Sequence, residues 1–520
     1  MKKLLSLVTA SALALTAGSA FADRVNQLSD QRVRQAIAYA VDMETIVDTI
    51  FEGKAIVADS MIPNGAYKAE GLNAYSYNPE KARALLAEAG GWDSSQVLDV
   101  VYYYGDQATA DLMVAMQAYL ADVGIEMTYR KLEGDVGGQL NALPAAGSDT
   151  SAVTWDIAYG AKAALALQEY YNGYQSGKSS YVVGTSKRDG LIEAINGTTD
   201  VAKQQAAFKE FERYENEVLS DIPLYYQQLF IYENNRLNRN GGQYGNEQFV
   251  YDWGIVDWTI GSGENVLYTN TAPSAFFEHP WLNPGIYMWS KVGYDRLVTA
   301  DGSLAPTKGQ LADYSVSADG MSVTFDLKDG VTWHDGTPLT AEDVVWSIET
   351  AKQVPGINAV FSSTFDAISD ISSNGDKVTI KFSTLDPNML LTFSQFAPLP
   401  KHLLEGVNPA EFQQHSYWQN PIGSGPYKIA EVQMNDFVRF VPFEGYHGGV
   451  AKIAEIVALP SGENDANVIK NASAGRLDYG FTKAVGDVQS LEGMKHMRVI
   501  PADIPYTRSL RVNGYPMISE

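Results

Sequence analysis

The sequence contains no cysteine among its 520 residues. This absence excludes disulfide bonds, thiolate-bound zinc, iron–sulfur clusters, a thiol nucleophile and a lipid-bearing N-terminal cysteine. Beyond the N-terminal segment, the chain also lacks any run of about 20 apolar residues, the length that a membrane-spanning helix requires. The sequence therefore predicts neither a disulfide framework nor a membrane span in the mature chain.

Basic residues are scarce, because 38 Lys and Arg stand against 62 Asp and Glu, for a formal net charge of −24. Nucleic acids and anionic lipids are bound through clustered Lys and Arg, so this balance argues against both as partners. Hydrophobic residues amount to 45%, which is enough for a full globular core. At roughly 100–200 residues per domain, the length predicts about three domains or two large lobes.

Motifs for catalysis, metal binding and cofactor binding are also missing. The six His residues show no i, i+4 spacing, and there is no phosphate-binding loop or dinucleotide-binding glycine motif. Gly423-Ser424-Gly425 is not a nucleophile elbow, since Pro426 stands where the following helix would begin. We therefore predict no enzyme activity, no catalytic residue, no cofactor and no metal site. An exported glycosidase stays open as an alternative, because its carboxylate pair is recognised only from coordinates.

The first 22 residues have the pattern of a secretory signal peptide. Lys2 and Lys3 precede an apolar run from Leu4 to Thr16, and Ala20-Phe21-Ala22 matches the cleavage pattern. Cleavage after Ala22 would leave a mature chain that begins at Asp23. Without a cysteine to carry a lipid, we expect a monomer that is free in a bacterial periplasm and is not a lipoprotein.

Helical and strand patterns alternate in the first half of the chain, which predicts an α/β lobe. Apolar residues recur at helical spacing from Arg32 to Phe51, which predicts one helix. Leu98–Tyr104 and Ile125–Lys131 have the pattern of strands on either side of a helix over Asp111–Val123. After the short joint Gly261-Ser262-Gly263 the pattern becomes rich in strands.

A long motif in the second half carries a family resemblance. The run from Trp333 to Ser347 begins Trp-His-Asp-Gly-Thr-Pro-Leu-Thr-Ala-Glu-Asp and resembles the signature of family 5 extracytoplasmic solute-binding proteins of ABC transporters. Further segments match the same family: Val323–Val331, Pro421–Tyr427, Arg32–Asp42 and Tyr77–Leu86. The resemblance implies an α/β fold, a two-lobed periplasmic binding protein of the class II, cluster C type with an extra small β-rich domain. It also implies capture of a peptide, nickel complex or oligosaccharide for an inner-membrane ABC permease.

The order of these motifs differs from that of the family. The Trp-His-Asp-Gly element normally precedes the Arg-Val-Arg-Gln-Ala-Ile element, whereas here it begins at Trp333 and the other begins at Arg32. A circular permutation explains this order, because Tyr506–Glu520 looks like the segment that normally runs into Asp30. The family's usual ends would then be joined near Gly261-Ser262-Gly263. The alternative is a pair of half-domains with altered pairing.

With this permutation, the resemblance implies four ranges. They are a signal peptide at 1–22, a lobe at 23–232 plus 507–520, a main lobe at 233–300 plus 420–506, and a small β-rich appended domain at 301–419. Two extended segments should cross between the lobes, at 504–513 and at 222–232. We expect the hinge residues there, namely Tyr225, Tyr226, Arg508 and Asn513.

The resemblance places the ligand in the cleft between the lobes. The predicted contacts there are Tyr159, Gly160, Ala161, Lys162, Ser274, Phe276, Phe277, Trp281, Phe481, Thr482 and Lys483. Residues 160–163 are expected in a loop after the strand that begins at Trp155, whereas Trp333 and His334 are expected to be structural. The 30 Tyr and 9 Trp would supply aromatic walls.

Two classes of solute remain open, a peptide or peptide-like molecule and an oligosaccharide. Peptide-binding relatives tend to have an acidic residue after Gly160 for the ligand's amino group, but this chain has none before Glu169. A buried ammonium without a carboxylate is costly, so this absence favours the oligosaccharide. The bias of the family favours the peptide, and the scattered His residues disfavour a nickel or haem carrier.

Overall fold

The computed structural model describes residues 26–62, 65–148, 150–163, 167–241, 254–271, 280–282, 288–300, 306–357, 359–433, 436–460, 466–502 and 506–516. The predicted signal peptide lies outside these ranges, as do Ser274, Phe276 and Phe277. Within the same ranges, every helix is too short or too polar to span a bilayer.

A six-stranded sheet forms the centre of the first lobe. Its strands are β1 (Ala55–Val57), β2 (Leu98–Tyr102), β3 (Met127–Lys131), β4 (Ile157–Ala163), β5 (Asp221–Gln227) and β21 (Tyr506–Val512), in the spatial order β1-β5-β21-β4-β2-β3. Strand β2 runs parallel to β3 and β4, whereas β21 is antiparallel to both of its neighbours. The last strand of the chain is therefore an interior strand of a sheet otherwise built from residues 55–227.

The helices of the first half are α1 (Gln31–Ala40), α2 (Met43–Thr49), α3 (Pro79–Glu88), α4 (Gln107–Asp122), α5 (Val136–Asn141), α6 (Ser186–Asn196) and α7 (Val201–Val218). The first five share hydrophobic cores with strands of the sheet, whereas α6 and α7 pack in a cluster of their own. The prediction of one helix over Arg32–Phe51 was wrong, because the chain becomes extended at Val41. The carboxylate of Asp42 accepts a hydrogen bond from the backbone N–H of Thr45 (3.0 Å) and caps α2.

A seven-stranded sheet forms the second lobe. Its strands are β6 (Leu229–Asn234), β9 (Val266–Thr271), β16 (Tyr427–Gln433), β17 (Phe437–Pro442), β18 (Glu455–Pro460), β19 (Tyr479–Thr482) and β20 (Met497–Ala502), in the order β16-β17-β18-β9-β19-β6-β20. A short ribbon of β7 (Leu237–Asn238) and β8 (Thr259–Ile260) lies apart from it. The helices between these strands are α8 (Met288–Val292), α13 (Ala466–Ser473) and α14 (Val485–Glu492).

A four-stranded antiparallel sheet forms an appended domain. Its strands are β12 (Ala312–Val316), β13 (Ser322–Leu327), β14 (Ile368–Asn374) and β15 (Lys377–Phe382), preceded by a ribbon of β10 (Val298–Ala300) and β11 (Pro306–Gly309). The helices are α9 (Ala341–Ala351), α10 (Ala359–Asp366), α11 (Met389–Gln395) and α12 (Lys401–Leu404). One hydrophobic core joins this sheet to the second lobe, since Phe325 and Val378 belong to the same cluster as Ile456 and Leu267.

The Trp-His-Asp-Gly motif lies where the appended domain meets the second lobe, and it packs the two together. Trp333 is fully buried, and the ring of His334 bridges two backbone groups of the loop before β16. Its Nδ1 accepts from the N–H of Gly423 (3.0 Å), and its Nε2 donates to the carbonyl oxygen of Gly425 (3.0 Å). The motif therefore has a structural role, as the sequence predicts.

The chain passes twice between the two large sheets. The first passage is at Gln228, between the end of β5 and the start of β6, and the second joins β20 to β21 between Ala502 and Tyr506. The first passage starts from β5 and the second leads into β21, and these two strands are neighbours in the first sheet. The two connections therefore lie side by side. The residue ranges assigned above to the lobes and the appended domain stay a prediction.

Candidate functional site

A group of aromatic rings surrounds one buried arginine beside the two passages. Tyr159 on β4, Tyr225 on β5 and Arg508 on β21 occupy adjacent strands, with Tyr104 just after β2 and Tyr506 at the start of β21. These five residues are called the tyrosine–arginine cluster. They come from four distant parts of the sequence, and the strand order alone brings them together.

The guanidinium of Arg508 lies at the centre of the cluster. Its Cζ is 4.0 Å from the ring centroid of Tyr104, 5.6 Å from that of Tyr506 and 5.9 Å from that of Tyr159. These distances are those of cation–π contacts. Although the residue is only 9% exposed, its hydrogen bonding is sparse. Nε donates to Oε1 of Gln227 (3.0 Å), while the buried Nη1 has no hydrogen-bond partner.

The tyrosines around Arg508 are neutral groups. The hydroxyls of Tyr159 and Tyr225 are hydrogen-bonded to each other (2.7 Å), and Tyr104 is bonded in the same way to Tyr103 (2.7 Å). Burial raises the pKa of Tyr104, Tyr159 and Tyr225, so none of them carries charge near neutral pH. No ion pair to Arg508 is present within the part of the chain that the structure describes. The cluster is therefore a net positive, aromatic site.

The second lobe reaches the cluster through the loop after β19. Nζ of Lys483 lies 4.8 Å from the ring centroid of Tyr506. Phe481 is half-buried and packs on the core of the second lobe. Thr482 is fully buried, and its hydroxyl donates to Asp487 (3.0 Å) and accepts from the N–H of Ala484 (3.0 Å). Phe481 and Thr482 belong to β19 itself, and of the three predicted contacts Lys483, just after the strand, is the one that extends to the cluster.

The predicted contacts at 160–163 lie in strand β4 rather than in a loop, which corrects that expectation. Because side chains alternate along a strand, Ala161 shares a face with Arg508, its partner in register, whereas Gly160 and Lys162 belong to the opposite face. Nζ of Lys162 lies 3.3 Å from the hydroxyl of Tyr174 and 4.3 Å from its ring centroid. Burial lowers the pKa of Lys162, against the opposing effect of Asp221.

The four predicted hinge residues fall into three environments. Tyr225 and Arg508 belong to the cluster, next to the passages. The hydroxyl of Tyr226 donates to Asp59 (2.7 Å), which follows the edge strand β1. Asn513 lies at the far end of β21, where its amide donates to Ser151 (3.1 Å) and to the carbonyl of Trp155 (3.0 Å).

Trp281 lies in the protein core. It is fully buried, and its ring stacks on Phe396 and on Phe412 with centroids 5.5 Å apart in each case. Its Nε1 donates to the carbonyl oxygen of Ala397 (2.8 Å). Because protein atoms surround the indole, Trp281 has a packing role in this structure, and its contact with a ligand stays a prediction.

A cavity of about 390 Å³ opens beside the passages on the edge of the first sheet. Gln228 and Ala502 line it, together with apolar residues of α1 and β5. At its polar side, Asp59 accepts hydrogen bonds from Lys68 (2.6 Å) and Tyr226. Burial raises the pKa of Asp59, but the hydrogen bonds from Lys68 and Tyr226 outweigh this effect and leave the pKa lowered.

The sequence analysis missed Tyr104, Tyr506 and Gln227 as site residues. Tyr104 follows β2 directly, and the carboxyl ends of parallel strands are a common location of binding sites in α/β sheets. That signal was available in the sequence. The roles of Tyr506 and Gln227 were not, because they depend on the placement of β21 beside β5.

Comparison with known proteins gives the same family for both halves of the chain. The family model of the bacterial extracellular solute-binding proteins, family 5, matches residues 8–188 and 307–517. A Brucella ovis protein whose name describes an ABC transporter peptide-binding protein is 28% identical over 228 residues, which are 43% of this chain and 42% of that protein. The oligopeptide-binding protein AppA of Bacillus subtilis is 27% identical over 189 residues, 35% of this chain and 33% of that protein.

Among solved structures, a periplasmic oligopeptide-binding protein of an ABC transporter from Thermotoga maritima is 26% identical. The match covers 41% of each chain with a TM-score of 0.36. The matched part of this chain thus spans less than half of the length of each of these relatives.

The fold and the site define a two-lobed α/β binding protein with an extra antiparallel sheet, in which two adjacent connections join the lobes. Within the described residues, no group of three His, Asp or Glu side chains is placed to hold a metal ion. Since the family model covers well over half of the sequence, the chain belongs to the bacterial extracellular solute-binding proteins, family 5. This membership confirms the prediction of a binding protein rather than an enzyme.

Proposed function

We propose that the chain is the receptor of an ABC import system and captures a peptide or peptide-like solute between its two lobes. The observation that carries this proposal is the tyrosine–arginine cluster, which lies beside both connections between the lobes. The names of the Brucella ovis and Bacillus subtilis relatives, which describe peptide and oligopeptide binding, support this class of solute. The mature chain would act in the periplasm and deliver the solute to a membrane permease.

Closure of the lobes around the solute is part of the proposal. Two side-by-side connections allow one lobe to rotate against the other with small changes in backbone torsion. Contacts already bridge the lobes beside the cluster, where Lys54 pairs with Glu492 (3.2 Å) and Lys483 lies over Tyr506. A solute that touches both lobes would favour the closed arrangement by the difference in its affinity for the two states.

An oligosaccharide is the second candidate, and the composition of the cluster favours it. Tyrosine rings stack on the apolar faces of sugars, and their hydroxyls exchange neutral hydrogen bonds with sugar hydroxyls. The described part of the cluster contains no carboxylate for a peptide's amino group. Asp221 lies nearby, but it already accepts hydrogen bonds from Tyr174 and Tyr181.

Thermal unfolding of the mature chain with defined solutes tests the proposal. Dipeptides, oligopeptides and neutral oligosaccharides would be screened separately, because a ligand that binds the folded state raises its apparent stability by mass action. We expect peptides to raise the Tm. Stabilisation by oligosaccharides alone would replace the peptide by the second candidate, and a Tm unchanged by every solute would contradict capture of either class.

A pair of variants ties the binding to the cluster. Tyr506→Ala removes a ring of the cluster, whereas Tyr129→Ala removes a half-buried ring of β3, at the far edge of the same sheet. We expect Tyr506→Ala to weaken binding about 10-fold, as for one well-packed aromatic contact, and Tyr129→Ala to leave the affinity unchanged. Equal losses in the two variants would place the site elsewhere.

A further inference from the structure

The unsatisfied guanidinium of Arg508 points to a specific chemical group of the solute. The side chain is nine-tenths buried, Nη1 has no hydrogen-bond partner, and the described surroundings offer rings and one amide oxygen but no carboxylate. A buried, hydrogen-bonding cation normally has an anionic partner, because an unpaired buried charge is strongly unfavourable. Cation–π contacts with Tyr104 and Tyr506 offset part of this cost and leave the N–H groups of Nη1 unused.

We propose that Arg508 is the anchor for a carboxylate of the bound solute, an inference that rests on the proposed function. The planar fork of a guanidinium matches a carboxylate with two parallel N–H···O bonds from two of its nitrogens, and Nη1 is a nitrogen that has no partner in the structure. Lys483 adds a second positive charge from the other lobe, since its Nζ lies over the ring that also contacts Arg508.

Asp106 is an acidic residue of the described chain that acts on the cluster, and it already has hydrogen-bond partners. Asp106 acts on the hydroxyls of Tyr159 and Tyr225, but its carboxylate caps helix α4. One oxygen accepts from the backbone N–H of Thr109 (2.9 Å) and the other from its hydroxyl (2.9 Å). Compared with Asp106, an external carboxylate would satisfy Arg508 and leave the cap of helix α4 intact.

A carboxylate can come from two sources that fit the two classes of solute. A peptide carries one at its C-terminus, and an acidic oligosaccharide carries one on each uronic acid. The experiment therefore uses matched pairs of probes: trialanine against trialanine amide, and trigalacturonic acid against its trimethyl ester. Within each pair the size is nearly the same, so a difference in affinity measures the contribution of the carboxylate.

The variants are Arg508→Met, Arg508→Lys and a control, Arg511→Gln, on the same strand. Arg511 makes a long hydrogen bond to Asn141 (3.5 Å) and does not belong to the cluster. By calorimetry, we expect the wild type to prefer the carboxylate member of one pair by at least about 10-fold, as for one charge-assisted bidentate contact. Arg508→Met should remove this preference and keep the affinity for the neutral member, Arg508→Lys should retain part of it, and Arg511→Gln should retain all of it.

The Tm of the ligand-free variants shows whether Arg508 binds solute or instead stabilises the fold. If Arg508 holds a solute, Arg508→Met removes an unpaired buried charge, so its Tm without ligand should be equal to or above that of the wild type. A lower Tm for Arg508→Met, or equal losses of preference in Arg508→Met and Arg511→Gln, would overturn the anchor. So would a wild type that prefers the carboxylate member in neither pair, although the proposed function would survive that result. A wild type that binds none of the four probes and is stabilised by no solute of the wider screen would overturn both.

Discussion

The side-chain amide of Asn26 donates a hydrogen bond to the backbone carbonyl oxygen of Asn513 (3.1 Å), 487 positions further along the chain. The same amide donates to the carbonyl oxygen of Tyr515 (2.6 Å). The backbone N–H of Ser151 donates to the carbonyl oxygen of Pro516 (2.7 Å). The segment after β21 is thus attached to the segment that leads into α1. We propose that this arrangement reflects a circular permutation of the family fold.

The first prediction concerns this rearrangement. A gene that joins Glu520 to Asn26 through a short Gly/Ser linker and places the new ends within Gly261-Ser262-Gly263 should encode a folded protein. Its Tm should lie within a few degrees of that of the original chain, because contacts are retained and flexible linkers cost little entropy. Circular dichroism and thermal unfolding would measure this.

The matched control opens the same joined chain between Gly160 and Ala161, inside strand β4. That opening cuts a strand paired on both sides, so this control should not fold. Failure of the first variant together with folding of the control would contradict a permuted arrangement.

The second prediction concerns Trp281, whose ring lies between Phe396 and Phe412. Trp281→Ala should lower the free energy of unfolding by about 3–5 kcal/mol, because it leaves a cavity in the core. Urea unfolding would measure the loss, with Val201→Ala as the control, since that side chain is 59% exposed. If Trp281→Ala instead has normal stability but binds solute weakly, Trp281 contacts the ligand.

The third prediction is a pH dependence caused by His334. Burial lowers the pKa of His334 to about 4, whereas the ordinary value is near 6.5. The unfolded chain therefore binds this proton more readily, so the contribution to stability is fully present above about pH 6.5 and is lost progressively toward about pH 4. Protonation of Nδ1 would also break its bond with the N–H of Gly423.

Comparison with His334→Gln isolates this effect from the carboxylates that titrate in the same range. Between pH 7.5 and 4.5, the wild type should lose up to about 3 kcal/mol more than the variant, because each pH unit between the folded and unfolded pKa values of His334 is worth about 1.4 kcal/mol. Urea unfolding at several pH values would show the free energies of unfolding of the wild type and His334→Gln converging as the pH falls. Parallel curves for the two proteins would contradict the assignment.

The fourth prediction concerns the ion pair between Lys54, just before β1, and Glu492, at the end of α14. The pair is partly exposed and bridges the lobes, so Lys54→Met should weaken solute binding by up to about 5-fold with little effect on fold stability. The difference should shrink at high salt, since exposed charges are screened. Titration calorimetry at about 50 and about 500 mM NaCl, on either side of physiological ionic strength, would measure it.

A matched control for Lys54 is available within the second lobe. Lys452 pairs with Asp257 at 2.6 Å, and both side chains are exposed. Lys452→Met should leave the affinity for solute unchanged at either salt concentration. An equal effect of both substitutions would indicate a general effect of charge rather than a contact that favours closure.

Local sequence patterns were sufficient for several elements. Helix α9 begins at Ala341, as the Thr-Ala-Glu-Asp pattern indicates, because the carboxylate of Asp343 accepts from both the N–H (2.8 Å) and the hydroxyl (2.8 Å) of Thr340. The break between α1 and α2 was not predictable in this way. Apolar spacing continues across Val41 and Asp42, and periodicity reports which face is buried rather than where the backbone turns.

The sequence by itself determined the family, the α/β class and the absence of thiol chemistry, because these follow from composition and from motifs of contiguous residues. Tertiary structure alone decided the candidate site. Tyr104, Tyr159, Tyr225 and Arg508 meet because β21 pairs between β4 and β5, and a register shift between Arg508 and Ser509 aligns Arg508 with Tyr225. Strand order and register depend on contacts between distant segments, so no local pattern could have placed these four side chains together.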